Sequence, residues 1–287
     1  MAIDVNFFRM LDRFQLALKK KVHSDYQGLR ESSQFGQGLV FKDYREYVPG
    51  DDTRYIDWRV YARTAKFFIK RFEEERNLVI HIIVDASGSM NYGEDVTKFE
   101  YGAMIGLGFA YMAMNNNEKF IFSTFTETMQ PYRSRKGVNQ LLNIVDHLNK
   151  LKIEGKSKFR ESLESYKSYI TSRSLIAVIS DFLYDPEELK ESLSRYRKSQ
   201  LFIIQVLDPT ERKLRIQGDL ILEDAELGVK LRTFISRRLS QKYSDKLENH
   251  ISQLKELSES LGAEFLAVTT DTPIFDTFYQ ILKPGKF

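Results

Sequence analysis

A chain of 287 residues with 42% hydrophobic and 13% aromatic side chains can bury a sizeable core, and its charges are interspersed, which excludes long disordered tails. A net charge of +3 is too weak to imply a nucleic-acid binder, which usually concentrates Lys and Arg on one face. The absence of cysteine excludes disulfides and thiolate metal sites and fits a reducing compartment.

Phe7, Phe8, Leu11, Phe14 and Leu18 recur at helical spacing. They predict a helix within residues 4–22, packed on the body of the protein. Lys19, Lys20 and Lys21 at its end leave a membrane-surface helix as the other reading. The basic run follows the apolar part, the reverse of a signal-peptide layout. Residues 23–47 read as loop with short strands, Pro49-Gly50 as a turn, and Phe67–Phe72 as a strand. Glu73, Glu74 and Glu75 then read as a solvated turn between strands.

From Leu78 apolar strands alternate with helical patterns. Strands are predicted at Val79–Val84, Lys119–Phe125, Leu175–Ser180, Leu201–Leu207 and Glu264–Thr269. Helices are predicted at about 97–115, 138–149, 159–171, 186–198 and 233–260, with one more after Pro273. The alternation implies an α/β fold, a mostly parallel sheet covered by helices on both faces. Thr128–Tyr132 adds an antiparallel edge strand, and Asp219–Thr233 a hairpin. Gly102, Gly106 and Gly108 predict close packing of their helix on the sheet. The longest uncharged apolar run, Tyr101–Met114, has 14 residues and falls short of the ~20 a bilayer span needs. No stable membrane insertion is expected, and the chain reads as soluble and cytoplasmic.

The strand LVIHIIV runs directly into Asp85-Ala86-Ser87-Gly88-Ser89. Ligands of open α/β sheets bind at the carboxyl ends of strands. A carboxylate and two hydroxyls at alternate positions can converge, and such hard oxygens suit Mg²⁺ or Mn²⁺. The strand LIAVIS ends in Asp181, which a neighbouring parallel strand places beside Asp85. Two such carboxylates repel unless a cation sits between them. Gly155-Lys156-Ser157 can add a third hydroxyl. The plainer reading is that Asp/Ser/Gly loops are ordinary turn and cap material.

Arg54, Asp57, Trp58, Arg59 and Arg63 form a second polar-aromatic cluster. It reads either as a buried ion-pair network or as a partner-binding surface. Enzyme motifs are poorly matched. Gly155-Lys156-Ser157 lacks the first glycine of a phosphate loop, because Lys150 stands there. Phe159 breaks a nucleophile elbow. The four histidines, His23, His81, His147 and His250, form no i, i+4 pair, and His81 reads as a core residue.

Asp85-x-Ser87-x-Ser89 and the later Ser180-Asp181 together resemble the metal-ion-dependent adhesion site of von Willebrand A domains. The upstream block FKDYREYVPGDDTRYIDWRVYARTAKFFIKRFEEE resembles the bacterial family called domain of unknown function 58. Pro-Gly-Asp-Asp at 49–52, Ile-Asp-Trp at 56–58 and Ala-Arg-Thr at 62–64 carry that likeness, which covers roughly residues 20–280. The resemblance implies a von Willebrand A-like, Rossmann-type domain over 77–287, with a hairpin insertion at about 217–233 and an N-terminal extension over 1–76. It implies Ser87, Ser89 and Ser157 as direct metal ligands, Asp85 and Asp181 as outer ones, and an open position for a partner's carboxylate. Ser157 is a departure, since relatives usually carry Gly-Gly-Thr there. The resemblance further implies a MoxR-type AAA+ ATPase as partner in a chaperone-like role. The expected function is therefore a non-enzymatic, metal-dependent protein-binding module. A metal-dependent hydrolase using Asp85 and Asp181, and a structural scaffold with a degenerate site, stand as alternatives.

Overall fold

Strand β3 (Val79–Asp85) is the axis of the structure, and its near-continuous apolar sequence explains why. It lies in a six-stranded sheet with β4 (Lys119–Phe125) on one side and β6 (Ser174–Ser180) on the other. Beyond β4 lies β5 (Met129–Tyr132). Beyond β6 lie β7 (Gln200–Leu207) and β10 (Glu264–Thr269), in the order β10-β7-β6-β3-β4-β5. All pairings are parallel except β4 with β5. The chain runs outward from β3 to β5, then returns to β6 on the other side, so the switch point of the topology lies between β3 and β6. This is the doubly wound, von Willebrand A-like arrangement. The computed structural model describes residues 7–12, 39–74, 78–132, 138–170, 174–214, 218–223 and 228–282. They belong to two compact units, one within Met1–Lys19 and Leu78–Phe287, the other within Lys20–Asn77.

The pleat of β3 sorts its side chains onto two cores. Ile80, Ile82 and Val84 join one cluster with α1 (residues 7–12), α3 (Lys98–Asn115), α4 (Val138–Lys150) and α9 (Ile274–Ile281). Ile83 faces the other cluster, built with α5 (Phe159–Tyr166), α6 (Pro186–Ser194) and α8 (Arg237–Ser260). Phe7, Phe8 and Leu11 are buried in the first core, Phe7 beside Phe275 and Phe278. Phe14 and Leu18 lie outside the described residues. Among the described residues no helix is long and apolar enough to cross a membrane. The run Tyr101–Met114 belongs to α3, which is apolar nearly all round because it is buried nearly all round.

Four boundaries differ from the sequence expectation. Residues 230–235 form β9, paired with β8 (Gly218–Glu223), so α8 begins only at Arg237, capped by Ser236. The helix expected over 159–171 tightens into a 3₁₀ turn after Tyr166, and the one expected over 186–198 ends at Ser194. Glu73 and Glu74 sit in a strand, β2 (Phe68–Glu74), paired with β1 (Leu39–Glu46), and not in a turn.

The glycines of α3 let its backbone lie on the sheet. A Cβ on Gly106 would stand 2.9 Å from Phe122 and 3.0 Å from Ile82, and one on Gly108 would stand 2.1 Å from the buried Phe278 ring. Gly108→Ala gains about 1 kcal/mol of helix propensity but overpacks a closed core, which costs about 1–3 kcal/mol. At 2.1 Å the clash outweighs the gain, and the urea midpoint is expected to fall. His81 supplies a second prediction. It is 1% exposed, its Nδ1 is 2.9 Å from Tyr166 Oη, and burial lowers it to about 4. The folded protein therefore resists a proton that the unfolded chain accepts below about 6.5. This removes about 3 kcal/mol of stability as pH falls from 6.5 to 4. His81→Gln is expected to lose that much less over the same window in denaturant titrations.

Candidate metal site

Parallel register sets two carboxylates side by side. Val84 pairs with Ile179, so Asp85 and Asp181 leave adjacent strand ends within one residue of each other. Both are buried, at 0% and 2% exposure. Asp85 Oδ1 accepts from the Ser87 backbone N–H at 2.9 Å. Its Oδ2 accepts from Ser180 Oγ at 2.8 Å and Tyr184 Oη at 2.5 Å. Burial first, and then the charge of Asp181, push Asp85 up to about 6, against the pull of the Tyr184 and Ser87 hydrogen bonds.

The hydroxyls gather around this pair. Ser87 is buried, and its Oγ lies 3.2 Å from Ser89 Oγ on the 3₁₀ turn Gly88–Asn91. Gly88 N–H donates to the Gly155 carbonyl at 2.9 Å, which draws the 155–157 loop alongside. Gly155 has φ +95°, a conformation that glycine adopts without strain. Ser157 Oγ then reaches Tyr184 Oη at 2.7 Å, and through that hydroxyl it is tied to Asp85. Asp85, Ser87, Ser89, Ser157 and Asp181 are thus brought together, while Lys156 points into an exposed position.

Beyond Ser180 of the Ser180-Asp181 pair, three residues that carried no motif belong to the site, Tyr184, Lys98 and Glu211. Ser180 and Tyr184 hold Asp85. Lys98 is fully buried, with Nζ 3.0 Å from Asp181 Oδ2 and 2.8 Å from Glu211 Oε1. Burial pulls its ammonium down, but Asp181 and Glu211 outweigh this, and the net direction is up. One sequence signal does point to Lys98. It is the first residue of a helix that is apolar almost throughout beyond Glu100, at the end where the helix dipole disfavours a cation. The loop after Asp181 is itself strained. Phe182 is buried with φ 52°, a conformation that costs a non-glycine residue about 1–3 kcal/mol. It is pinned by His250 Nε2 donating to its carbonyl at 2.7 Å, and by Gln205 Nε2 donating to the Asp181 carbonyl at 2.9 Å.

Two carboxylates and three hydroxyls make an all-oxygen donor set, which suits a hard divalent cation. Asp181 and Glu211 share the Lys98 ammonium, while Asp85 is answered by the neutral donors Ser87, Ser180 and Tyr184. Burial and the charge of Asp181 both disfavour an ionised Asp85, a cost that a divalent cation would offset, and the residues fit Mg²⁺ or Mn²⁺. Among the described residues no group of three or more His, Cys, Asp and Glu could hold a metal.

In the other unit, the cluster expected as a buried ion-pair network is something else. Asp57 is buried, but it caps α2 (Trp58–Thr64) by accepting from the Arg59 and Val60 N–H groups, and it accepts from Tyr44 Oη at 2.8 Å. Arg54 pairs with Asp52 instead, at 2.6 Å, on the surface. Arg59 and Arg63 are exposed, and Trp58 is 61% exposed, packed edge-on against Tyr61 and Phe67. Short-range caps win here because each aspartate finds a backbone donor within three residues.

Tyr184→Phe removes the hydroxyl that joins Asp85 to Ser157. Loss of a hydrogen bond to a buried carboxylate is expected to cost about 1.5–3 kcal/mol in chemical denaturation under chelation. It is also expected to move Asp85 further up.

The family model "Protein of unknown function DUF58" matches residues 43–253. The uncharacterized protein Rv1480 of Mycobacterium tuberculosis is 24% identical over 270 residues, covering 91% of this chain and 84% of its own. The uncharacterized protein Mb1516 of Mycobacterium bovis matches equally. Among solved structures, the conserved hypothetical protein BatB from Bacteroides thetaiotaomicron is similar at 14% identity and a TM-score of 0.44, over 71% of this chain and 96% of its own. The VWA domain of SpRpn10 is similar at 15% identity and a TM-score of 0.43, over 73% and 97%. With a family match over most of its length, the chain belongs to the DUF58 family.

Proposed function

We propose that this protein is a non-enzymatic, metal-dependent protein-binding module. Its Asp85/Ser87/Ser89 loop, with Ser157 and Asp181, would hold Mg²⁺ or Mn²⁺ and present it to a carboxylate of a protein partner. The observation that carries this reading is the convergence of three hydroxyls on two buried carboxylates at the switch point of the sheet. Ser87, Ser89 and Ser157 are the direct ligands in this reading. Asp85 and Asp181, already hydrogen-bonded, balance the charge from outside. The cation supplies a fixed positive centre for an anionic group. Trp58, with Arg59 and Arg63 exposed on the same helix, is the second surface we assign to the partner. The family resemblance supports a MoxR-type AAA+ ATPase in the cytoplasm as that partner.

Catalysis is disfavoured by how the groups are engaged. His81 bonds Tyr166, His147 bonds Tyr132, and His250 bonds the Phe182 carbonyl. Asp85, held by three donors, is poorly placed as a nucleophile or base. One observation favours a scaffold with a degenerate site, namely the Lys98 ammonium already seated on Asp181.

A thermal titration with Mg²⁺ and Mn²⁺ separates the two. Metal that binds only the folded state stabilises it by about 2.7 kcal/mol when free metal is roughly 100 times Kd. The stabilisation is expected to vanish in the Ser87→Ala/Ser89→Ala double variant. Asp85→Ala is less clean, because it strands three buried donors. Capture of a MoxR-type ATPase that persists undiminished in excess chelator would sink the metal-dependent reading.

A further inference from the structure

We propose that Lys98 is a tethered cation that takes up part of the charge the site would otherwise give to a metal. It thereby sets the metal affinity low and makes tight binding depend on the extra carboxylate a partner brings. The inference rests on the metal reading above and names how that site is tuned.

Lys98 is held where it is by two capping arrangements. Thr97 Oγ1 accepts from Glu100 N–H while Glu100 Oε2 accepts from Thr97 N–H, which fixes the first turn of α3. Glu211 closes α7 (Pro209–Arg212) in the same way, its Oε2 accepting from Asp208 N–H at 3.0 Å. Its other oxygen, Oε1, takes the Lys98 ammonium at 2.8 Å. The ammonium is therefore shared between a group at the end of β6 and a group at the end of β7, with no exposure to solvent. A cation placed against Asp181 competes with any metal that uses the same carboxylate for charge balance, and in a buried site this competition is weakly screened. The same pair is a poor device for stability alone, since buried ion pairs return little net free energy. A carboxylate arriving from a partner restores the negative charge that Lys98 has neutralised.

The test is isothermal calorimetry with Mg²⁺ and Mn²⁺ alone, on the full chain, for wild type, Lys98→Gln and Glu211→Gln. Lys98→Gln is expected to bind Mg²⁺ at least tenfold more tightly than wild type. Glu211→Gln leaves the ammonium wholly to Asp181 and is expected to bind more weakly. Metal binding in Lys98→Gln with none in wild type also supports the proposal, since the ammonium then acts as the resident cation. If wild type binds saturably and Lys98→Gln binds equally or more weakly, the tuning role is overturned and the metal site stands. If neither binds, both readings fall. Should Lys98→Gln fail to fold, Glu211→Gln decides, and unchanged or tighter binding there overturns the proposal.

Discussion

Two carboxylates buried at neighbouring strand ends are the constraint that organises this protein. Asp85 and Asp181 are nearly inaccessible to water, and close enough for the charge of Asp181 to push on Asp85. Such a pair is costly to fold unless it is answered. The structure answers the two members differently. Asp85 receives neutral donors, from Ser87, Ser180 and Tyr184. Asp181 receives the Lys98 ammonium. The asymmetry leaves Asp85 displaced upward at a polar, oxygen-lined end of the sheet.

The scaffold sets the geometry of that end. Parallel strands buried on both faces fix the register of β3 and β6, and the register fixes the offset of the two aspartates. Helix α3 is drawn tightly onto the sheet by its glycines, so its first residue, Lys98, reaches inward over the strand ends. The strained Phe182 and its clamps, His250 and Gln205, hold the loop that carries Tyr184. Packing at the centre of the molecule therefore determines charge placement at its rim. Changes in α3, β7 or α8 can reach the site without touching its hydroxyls.

Much of this was legible in the sequence, because the informative signals were local. Apolar runs such as Leu78–Val84 read directly as buried strands, and Asp85-x-Ser87-x-Ser89 sits where a parallel strand must end. What could not be read was partnership across the fold. Lys98 and Asp181 are 83 residues apart, and Lys98 and Glu211 are 113 apart, so no spacing rule links them. Tyr184 stands in no motif, and only the fold lays the 155–157 loop beside it. The start of α8 was misplaced for a different reason. The hairpin is expected to end at Thr233 and the helix to start there, whereas pairing with β8 carries the strand on to Ile235.

The segment 39–74 shows how a distinctive sequence block can be mostly local architecture. Pro49-Gly50 forms the turn in which Asp51 N–H bonds the Val48 carbonyl, with Gly50 at φ +111°. Asp51 takes the Val48 N–H and Arg45. Asp52 caps the 3₁₀ turn Thr53–Tyr55, and Asp57 caps α2. The three acids are accounted for by backbone geometry, so their presence is not by itself a sign of binding. The residues left over are Trp58, Arg59 and Arg63, whose side chains lie on the outside of a short helix. An exposed tryptophan beside arginines supplies no cap and little core, and these residue types dominate protein contact surfaces. The acidic members of the block shape a turn and a helix, and what that backbone displays to solvent is aromatic and cationic.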